Sequence, residues 1–197
     1  AELRRELAAG FYTSNLGKED VRPRSLLNTF SYTGSLSVAA AAGGFEQVTT
    51  IDLSAASIQW AKENWEANAS GSSAEWFAGD VFEYLPKWHR QGRRFDAVIL
   101  DPPSFSRGKK GSFSTSKDLV RLHDLAIKVL HPGGRLITSI NSANISVEKF
   151  QKEVQQALKI NNRRAMVLKS IRLPETFPVP FGDPSKAYLK GWVLALN

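Results

Sequence analysis

Apolar positions along the chain fall into short, nearly unbroken runs, each followed by a stretch of helical periodicity. Ser25–Asn28, Gln47–Ile51, Ala74–Phe77, Phe95–Leu100, Arg135–Ile140 and Ala165–Ile171 predict six strands. Small residues over Ser35–Ala42 predict a helix packed close on a sheet. Ile58, Ala61, Trp65 and Ala69 recur on one face of a second helix that Ser54 can cap, and Phe82, Leu85 and Trp88 mark a third. Leu119, Leu122, Ala126 and Val129 form a fourth, closed by the stop signal His131-Pro-Gly-Gly134, and Val147–Ile160 is amphipathic. The tail Tyr188–Leu196 follows a Pro-rich loop with no intervening helix, so its strand is expected to run antiparallel. Strands alternating with helices in this way predict an α/β fold: a doubly wound, Rossmann-like, seven-stranded and mostly parallel sheet with a C-terminal antiparallel strand.

One stretch combines a buried strand with polar chemistry. Phe95–Leu100 is apolar enough to be covered on both faces, and it runs into Asp101-Pro102-Pro103-Ser104-Phe105. Open α/β sheets bind ligands at the carboxyl ends of their strands, which is where Asp101 falls. The two prolines fix successive φ angles and remove two donors, leaving a rigid turn rich in acceptors.

The carboxyl ends of the earlier strands carry matching features. Asn28-Thr-Phe-Ser-Tyr-Thr-Gly34 joins the first strand to a helix N-terminus, a place that favours a carboxylate or phosphate. A dinucleotide fingerprint needs three glycines and this loop has one, which disfavours NAD and FAD. Asp52 ends the second strand and can either accept from two ribose hydroxyls or cap the next helix; Asp80, beside Val81, can hold an adenine or act as a cap. Together these ends line one crevice that a nucleoside bearing an amino-acid carboxylate would fill.

Composition narrows the chemistry. With 197 residues the chain can bury one sizeable core, and 26 Lys and Arg against 19 Asp and Glu give a net charge of +7, which suits an anionic partner such as nucleic acid. There is no cysteine, so disulfides, thiolate metal sites and a Cys nucleophile are excluded. His89, His123 and His131 share no metal-like spacing, and no metal site is expected. No apolar run reaches the length of a membrane span and no signal-peptide pattern opens the chain, so a cytoplasmic protein without membrane contact is expected. Residues 1–24 read as an N-terminal extension, or the remnant of a linker to an upstream domain, with a short helix over Glu2–Ala9. Residues 25–197 read as a single domain. Oligomeric state is not legible.

Phe30-Ser-Tyr-Thr-Gly34, Asp52, Gly79-Asp-Val-Phe82 and Asp101-Pro-Pro103 resemble the class I S-adenosylmethionine-dependent methyltransferases, and more narrowly the bacterial family that methylates 23S ribosomal RNA. The closing Tyr188-Leu-Lys-Gly-Trp-Val193 is similar to that family's last strand. The resemblance implies that Phe30, Tyr32, Thr33 and Gly34 hold the methionine part of S-adenosyl-L-methionine. It implies that Asp52 and Leu53 meet the ribose, Asp80 and Val81 the adenine, and that Asp101, Pro102 and Pro103 face the target base, with Asp101 also touching the cofactor.

Relatives that methylate cytosine at C5 carry a Cys where this chain has Asn141, and carbon methylation of a pyrimidine needs a covalent adduct that Asn cannot form. Guanine-methylating relatives need no nucleophile, because a nitrogen lone pair attacks the sulfonium methyl directly. The expected activity is therefore methyl transfer to a guanine nitrogen of 23S rRNA. A cytosine-C5 enzyme, a methyltransferase for small molecules or proteins, and a non-catalytic cofactor- or RNA-binding module are the alternatives. Phe105 either stacks on the base or anchors its loop. Arg107, Lys109, Lys110 and Lys117 either meet RNA phosphates or form a solvated charge run. The family's N-terminal cofactor cover begins here as Gly10-Phe-Tyr-Thr13 but departs at Ser14-Asn15-Leu16. Trp60, Trp65, Trp76 and Trp88 read as core or helix-face packing.

Overall fold

The computed structural model describes residues 2–12, 24–68, 71–108, 111–174, 176–178 and 188–197, with only the backbone described over 106–108 and 111–112. In chain order the elements are α1 (Glu2–Ala8), β1 (Ser25–Thr29), α2 (Ser35–Ala42), β2 (Gln47–Asp52), α3 (Ala55–Asn68), β3 (Ser73–Ala78) and α4 (Val81–Arg90). They continue with β4 (Phe95–Leu100), β5 (Phe105–Gly108), β6 (Gly111–Ser114), α5 (Leu119–Lys128), β7 (Leu130–Asn141), α6 (Val147–Ile160), β8 (Ala165–Arg172) and β9 (Leu189–Leu196). Seven strands form one sheet in the order β3-β2-β1-β4-β7-β9-β8. Neighbours from β3 to β7 are parallel, and β9 lies antiparallel between β7 and β8, as the Pro-rich sequence before it predicts.

Burial follows strand position. Central β1 and β4 are buried at every residue, because helices cover both faces, while edge strands β3 and β8 alternate or stay open. Successive residues of β4 serve opposite layers: Val98 and Leu100 join α4, α5 and α6, whereas Ala97 and Ile99 join α1 and α2. The alanines of α2 let that helix lie close to the sheet. Ser37, buried in its middle, hydrogen-bonds Asn28 of β1 and Thr50 of β2, both at 2.9 Å, fixing the helix over the first two strand ends.

Leu7 and Tyr12 are buried in the same layer, so α1 packs onto α2. Gly43 makes that contact possible: a Cβ there would sit 1.7 Å from the Leu7 carbonyl oxygen. Lys169 of β8 then pairs with Glu2 and Glu6 of α1.

Several local expectations need correction. The basic Ser/Gly-rich segment after Phe105 is not irregular: β5 and β6 pair antiparallel, from Phe105–Ser114 to Gly108–Gly111. The segment His131-Pro-Gly-Gly134 lies inside β7 instead of ending α5; pairing with β4 jumps from Phe95–Leu130 to Ala97–Arg135, so these residues form a bulge. Trp88 is core and Trp65 packs edge-on against Trp76, but Trp60 is exposed. Ala69, Ser14, Asn15 and Leu16 lie outside the described residues.

Candidate active site

In the sheet order, β1 is followed by β2 on one side and by β4 on the other, and a crevice opens at their carboxyl ends where the winding reverses. A cavity of about 440 Å³ lies there, within the ~300–1,000 Å³ usual for small-molecule clefts. Phe30, Tyr32, Asp52, Leu53, Asp80, Val81, Asp101, Pro102 and Pro103 all line it. Thr33 and Gly34 do not. The Thr33 carbonyl accepts from Asn64 Nδ2 at 2.9 Å, and Gly34 begins α2 with φ 73°, where an added Cβ would come within 2.8 Å of Ala61 Cβ. Gly34 thus sets the approach of α2 to α3 beneath the loop.

The first loop is held in an unusual shape. Phe30 and Tyr32 have φ of 51° and 48°, each in the left-handed region that disfavours side-chain-bearing residues by roughly 1–2 kcal/mol. Two bonds offset that strain. Ser31 N–H donates to the Ile51 carbonyl at 3.2 Å, and Tyr32 N–H donates to Asp52 Oδ2 at 2.8 Å. Asp52 Oδ1 accepts from Ser54 N–H at 2.9 Å. Each carboxylate oxygen keeps acceptor capacity beyond its one backbone bond, so Asp52 can still bind a pair of hydroxyls from the cavity.

Asp80 plays two parts. Its Oδ1 accepts from Phe82 N–H at 2.9 Å, capping α4, while the residue also borders the cavity. Gly79 beside it lines the same wall and accommodates the Tyr84 ring, which a Cβ would meet at 2.4 Å. Val81 and Phe30 supply apolar surface. Buried Ser31 Oγ has no hydrogen-bond partner among the described residues, a polar atom left over in the loop that rims the site. Apolar walls, two partly satisfied carboxylates and this hydroxyl fit the nucleoside and amino-acid ends of S-adenosylmethionine.

At the far side, Asp101 receives a hydrogen bond from Ser139 Oγ at 2.7 Å. Asp101 opens onto the cleft yet is walled by the turn and the end of β7; the lost hydration moves its pKa above the usual carboxylate range, and the Ser139 bond partly opposes that shift. Pro102 is buried and Pro103 exposed. Asn141 lines the cavity at the end of β7, and its carbonyl accepts from Ser104 Oγ at 3.2 Å. The same Ser104 presents its carbonyl to Thr115, which ties the turn to the β5–β6 hairpin.

Below Asn141, buried Lys190 donates to the carbonyls of Ser142 and Ile145 at 2.7 and 2.6 Å, bracing the loop before α6. Burial lowers its pKa, and nearby Glu148 opposes the shift. Gly191 admits the β7 backbone, since a Cβ there would lie 2.2 Å from the Thr138 carbonyl oxygen.

Phe105 does not line the cavity and its ring is 57% exposed, so it is not a packed anchor. Lys117 is exposed; Lys109 and Lys110 lie outside the described residues, and of Arg107 only the backbone is described. Ser139, Gly79 and Lys190 escaped the sequence reading as site residues. A serine two residues before Asn141 on the same strand is the signal that could have identified Ser139.

Known proteins are similar to this chain in sequence and in structure. YwbD of Bacillus subtilis (strain 168) is 38% identical over 168 residues, covering 85% of this chain and 42% of YwbD. The ribosomal RNA large subunit methyltransferase I of Enterobacter sp. (strain 638) is 35% identical over 176 residues, covering 89% of this chain and 44% of its own length. The crystal structure of SMU.776 complexed with SAH superimposes with a TM-score of 0.86 and 33% identity, over 98% of this chain and 48% of that one. The chain thus spans less than half the length of these relatives. Residues 5–188 match the S-adenosylmethionine-dependent methyltransferase family, and the strand order, the three acidic strand ends and the cavity between them agree: the chain belongs to that family.

Proposed function

We propose that this chain methylates a guanine nitrogen in large-subunit ribosomal RNA. The observation that carries the reading is Asn141, which borders the cavity on the same wall as Asp101 in a chain without a single cysteine. A pyrimidine carbon would need a thiolate to become nucleophilic, whereas a purine nitrogen carries its own lone pair. The large-subunit rRNA methyltransferase name of the Enterobacter relative and the net charge of +7 support RNA as substrate.

S-adenosylmethionine, when bound, supplies an electrophilic methyl group. In this reading Asp52 and Leu53 hold the ribose, Asp80 and Val81 the adenine, and Phe30, Tyr32, Thr33 and Gly34 shape the loop around the methionine end. Asp101, with Pro102 beside it, accepts from the base edge and so aligns the nitrogen, and Asp101 takes up the proton when that nitrogen carries one. Phe105 is free to stack on a neighbouring base, and Arg107, Lys109, Lys110 and Lys117 would meet flanking phosphates.

The test is incubation of the chain with methyl-labelled S-adenosylmethionine and unmodified large-subunit rRNA, followed by mass spectrometry of the digested nucleosides. Label in a methylguanosine is expected. Label in 5-methylcytidine, or none in RNA while a small molecule or protein is labelled, overturns the reading.

A further inference from the structure

Asp101 and Ser139 border a second cavity, of about 350 Å³, whose other walls come from α1, the first turn of α2 and the end of β8. Asp101 alone lines both cavities among the described residues. Three basic side chains of α1 and β8 line it, and they differ in their commitments. Lys169 is engaged by both Glu2 and Glu6, so its charge is already compensated. Arg4 on α1 and Arg172 at the end of β8 have no ion-pair partner among the described residues, and both border the cavity. The pocket therefore joins an acceptor wall at one end to two guanidinium groups that no described acid engages and that can hold an anion.

Resting on the reading that the substrate is RNA, we propose that this second cavity receives the target nucleotide, with its base edge on Asp101 and Ser139 and its phosphate on Arg4 and Arg172. The chemistry of the walls selects the ligand. Ser139 spends its proton on Asp101, so the carboxylate and the serine oxygen face the cavity as acceptors. Guanine offers a Watson–Crick edge with N–H donors on both N1 and N2, which two adjacent acceptors match. Guanidinium groups take phosphate oxygens through paired N–H donors, a fit that the compact lysine ammonium lacks. The volume lies within the small-molecule range, and an extruded nucleotide fills such a pocket. In this arrangement α1 is part of the RNA-binding wall, and the base reaches Asp101 from the side opposite Asp52.

The experiment measures binding of a fluorescein-labelled, guanine-containing single-stranded RNA to the whole chain by anisotropy across a salt series. Isothermal titration with S-adenosylmethionine serves as the control for folding. Each phosphate contact to a single strand contributes about 0.7 to the slope of log affinity against log salt. Arg4→Gln and Arg172→Gln should each flatten the slope by about that amount with cofactor affinity unchanged, while Lys152→Gln on the outer face of α6 should leave it at the wild-type value. A salt-dependent wild type whose slope neither arginine variant alters overturns this inference alone. A wild type whose RNA binding ignores salt overturns the RNA reading and this inference together.

Discussion

Ser139 Oγ lies 2.7 Å from Asp101 Oδ1, a hydrogen bond that joins the carboxyl ends of β7 and β4 across the mouth of both cavities. Burial pushes the Asp101 carboxyl up and this bond holds it down, so the residue's protonation depends on its neighbour. Because its folded pKa is raised, ionisation of Asp101 works against the fold, and its favourable contribution at low pH is lost as pH rises through that value.

Ser139→Ala should therefore move Asp101 further up. If the ionised carboxylate accepts the proton of the guanine nitrogen, the acid limb of the single-turnover pH profile shifts to higher pH, with cofactor affinity retained. Asp101→Asn should abolish turnover while still binding cofactor. An unchanged acid limb in Ser139→Ala would show that Asp101 is not the titrating group.

Asp52 is expected to be the main determinant of cofactor affinity. Hydrogen bonds to a charged group contribute about 1.5–3 kcal/mol each, so losing two to ribose should weaken S-adenosylmethionine binding by about 100-fold or more in Asp52→Ala. The substitution also releases Tyr32 N–H and Ser54 N–H, which frees the strained first loop. Titration calorimetry with an affinity within about tenfold of wild type would refute this role.

Gly34→Ala combines a positive φ with a 2.8 Å contact on Ala61, and should lower stability by about 2–4 kcal/mol, from roughly 1–2 for the left-handed backbone and the rest for overpacking. Adding Ala61→Gly removes the contact but not the backbone strain. The double variant should lose less stability in urea than the two single variants summed, and strict additivity would mean that the helices do not meet there.

His123 is buried, its Nδ1 lies 2.7 Å from the Leu119 carbonyl and its Nε2 2.9 Å from Thr138 Oγ1. Burial lowers its pKa to about 4, and the Leu119 bond opposes the shift. The folded chain thus holds a neutral ring, donating from Nδ1 and accepting at Nε2. With the folded value below the unfolded one of 6.5, this contribution is complete above pH 6.5 and fades as pH falls toward 4. Over that window stability should fall by on the order of 3 kcal/mol, and His123→Gln should flatten the dependence. Urea midpoints measured at several pH values decide this.

Much of the fold was legible because burial on both faces leaves a mark that composition alone can carry. β1 and β4 read as apolar runs since helices cover them on each side, and the Pro-rich sequence before β9, without helical periodicity, gave away its direction. The cavity-lining acids were legible from their places at strand ends. What sequence could not convey is distance. Thr33 and Gly34 sit in the same loop as Phe30 and Tyr32, yet a left-handed backbone turns them away from the cavity. Ser139 looked like any polar residue of a strand until the sheet brought it to Asp101, 38 residues away. The β5–β6 hairpin was hidden because glycine, serine and lysine carry little strand propensity, and its pairing depends on register that no local pattern records.

The position of β9 also orders the birth of the molecule. Among the described residues β9 is the only strand to which β8 hydrogen-bonds, so β8 joins the sheet only once β9 has been made. The strands that frame Asp52, Asp80 and Asp101 can assemble on a growing chain, but Arg172 waits for β9. A nascent chain would then be able to bind cofactor before it could grip a nucleotide.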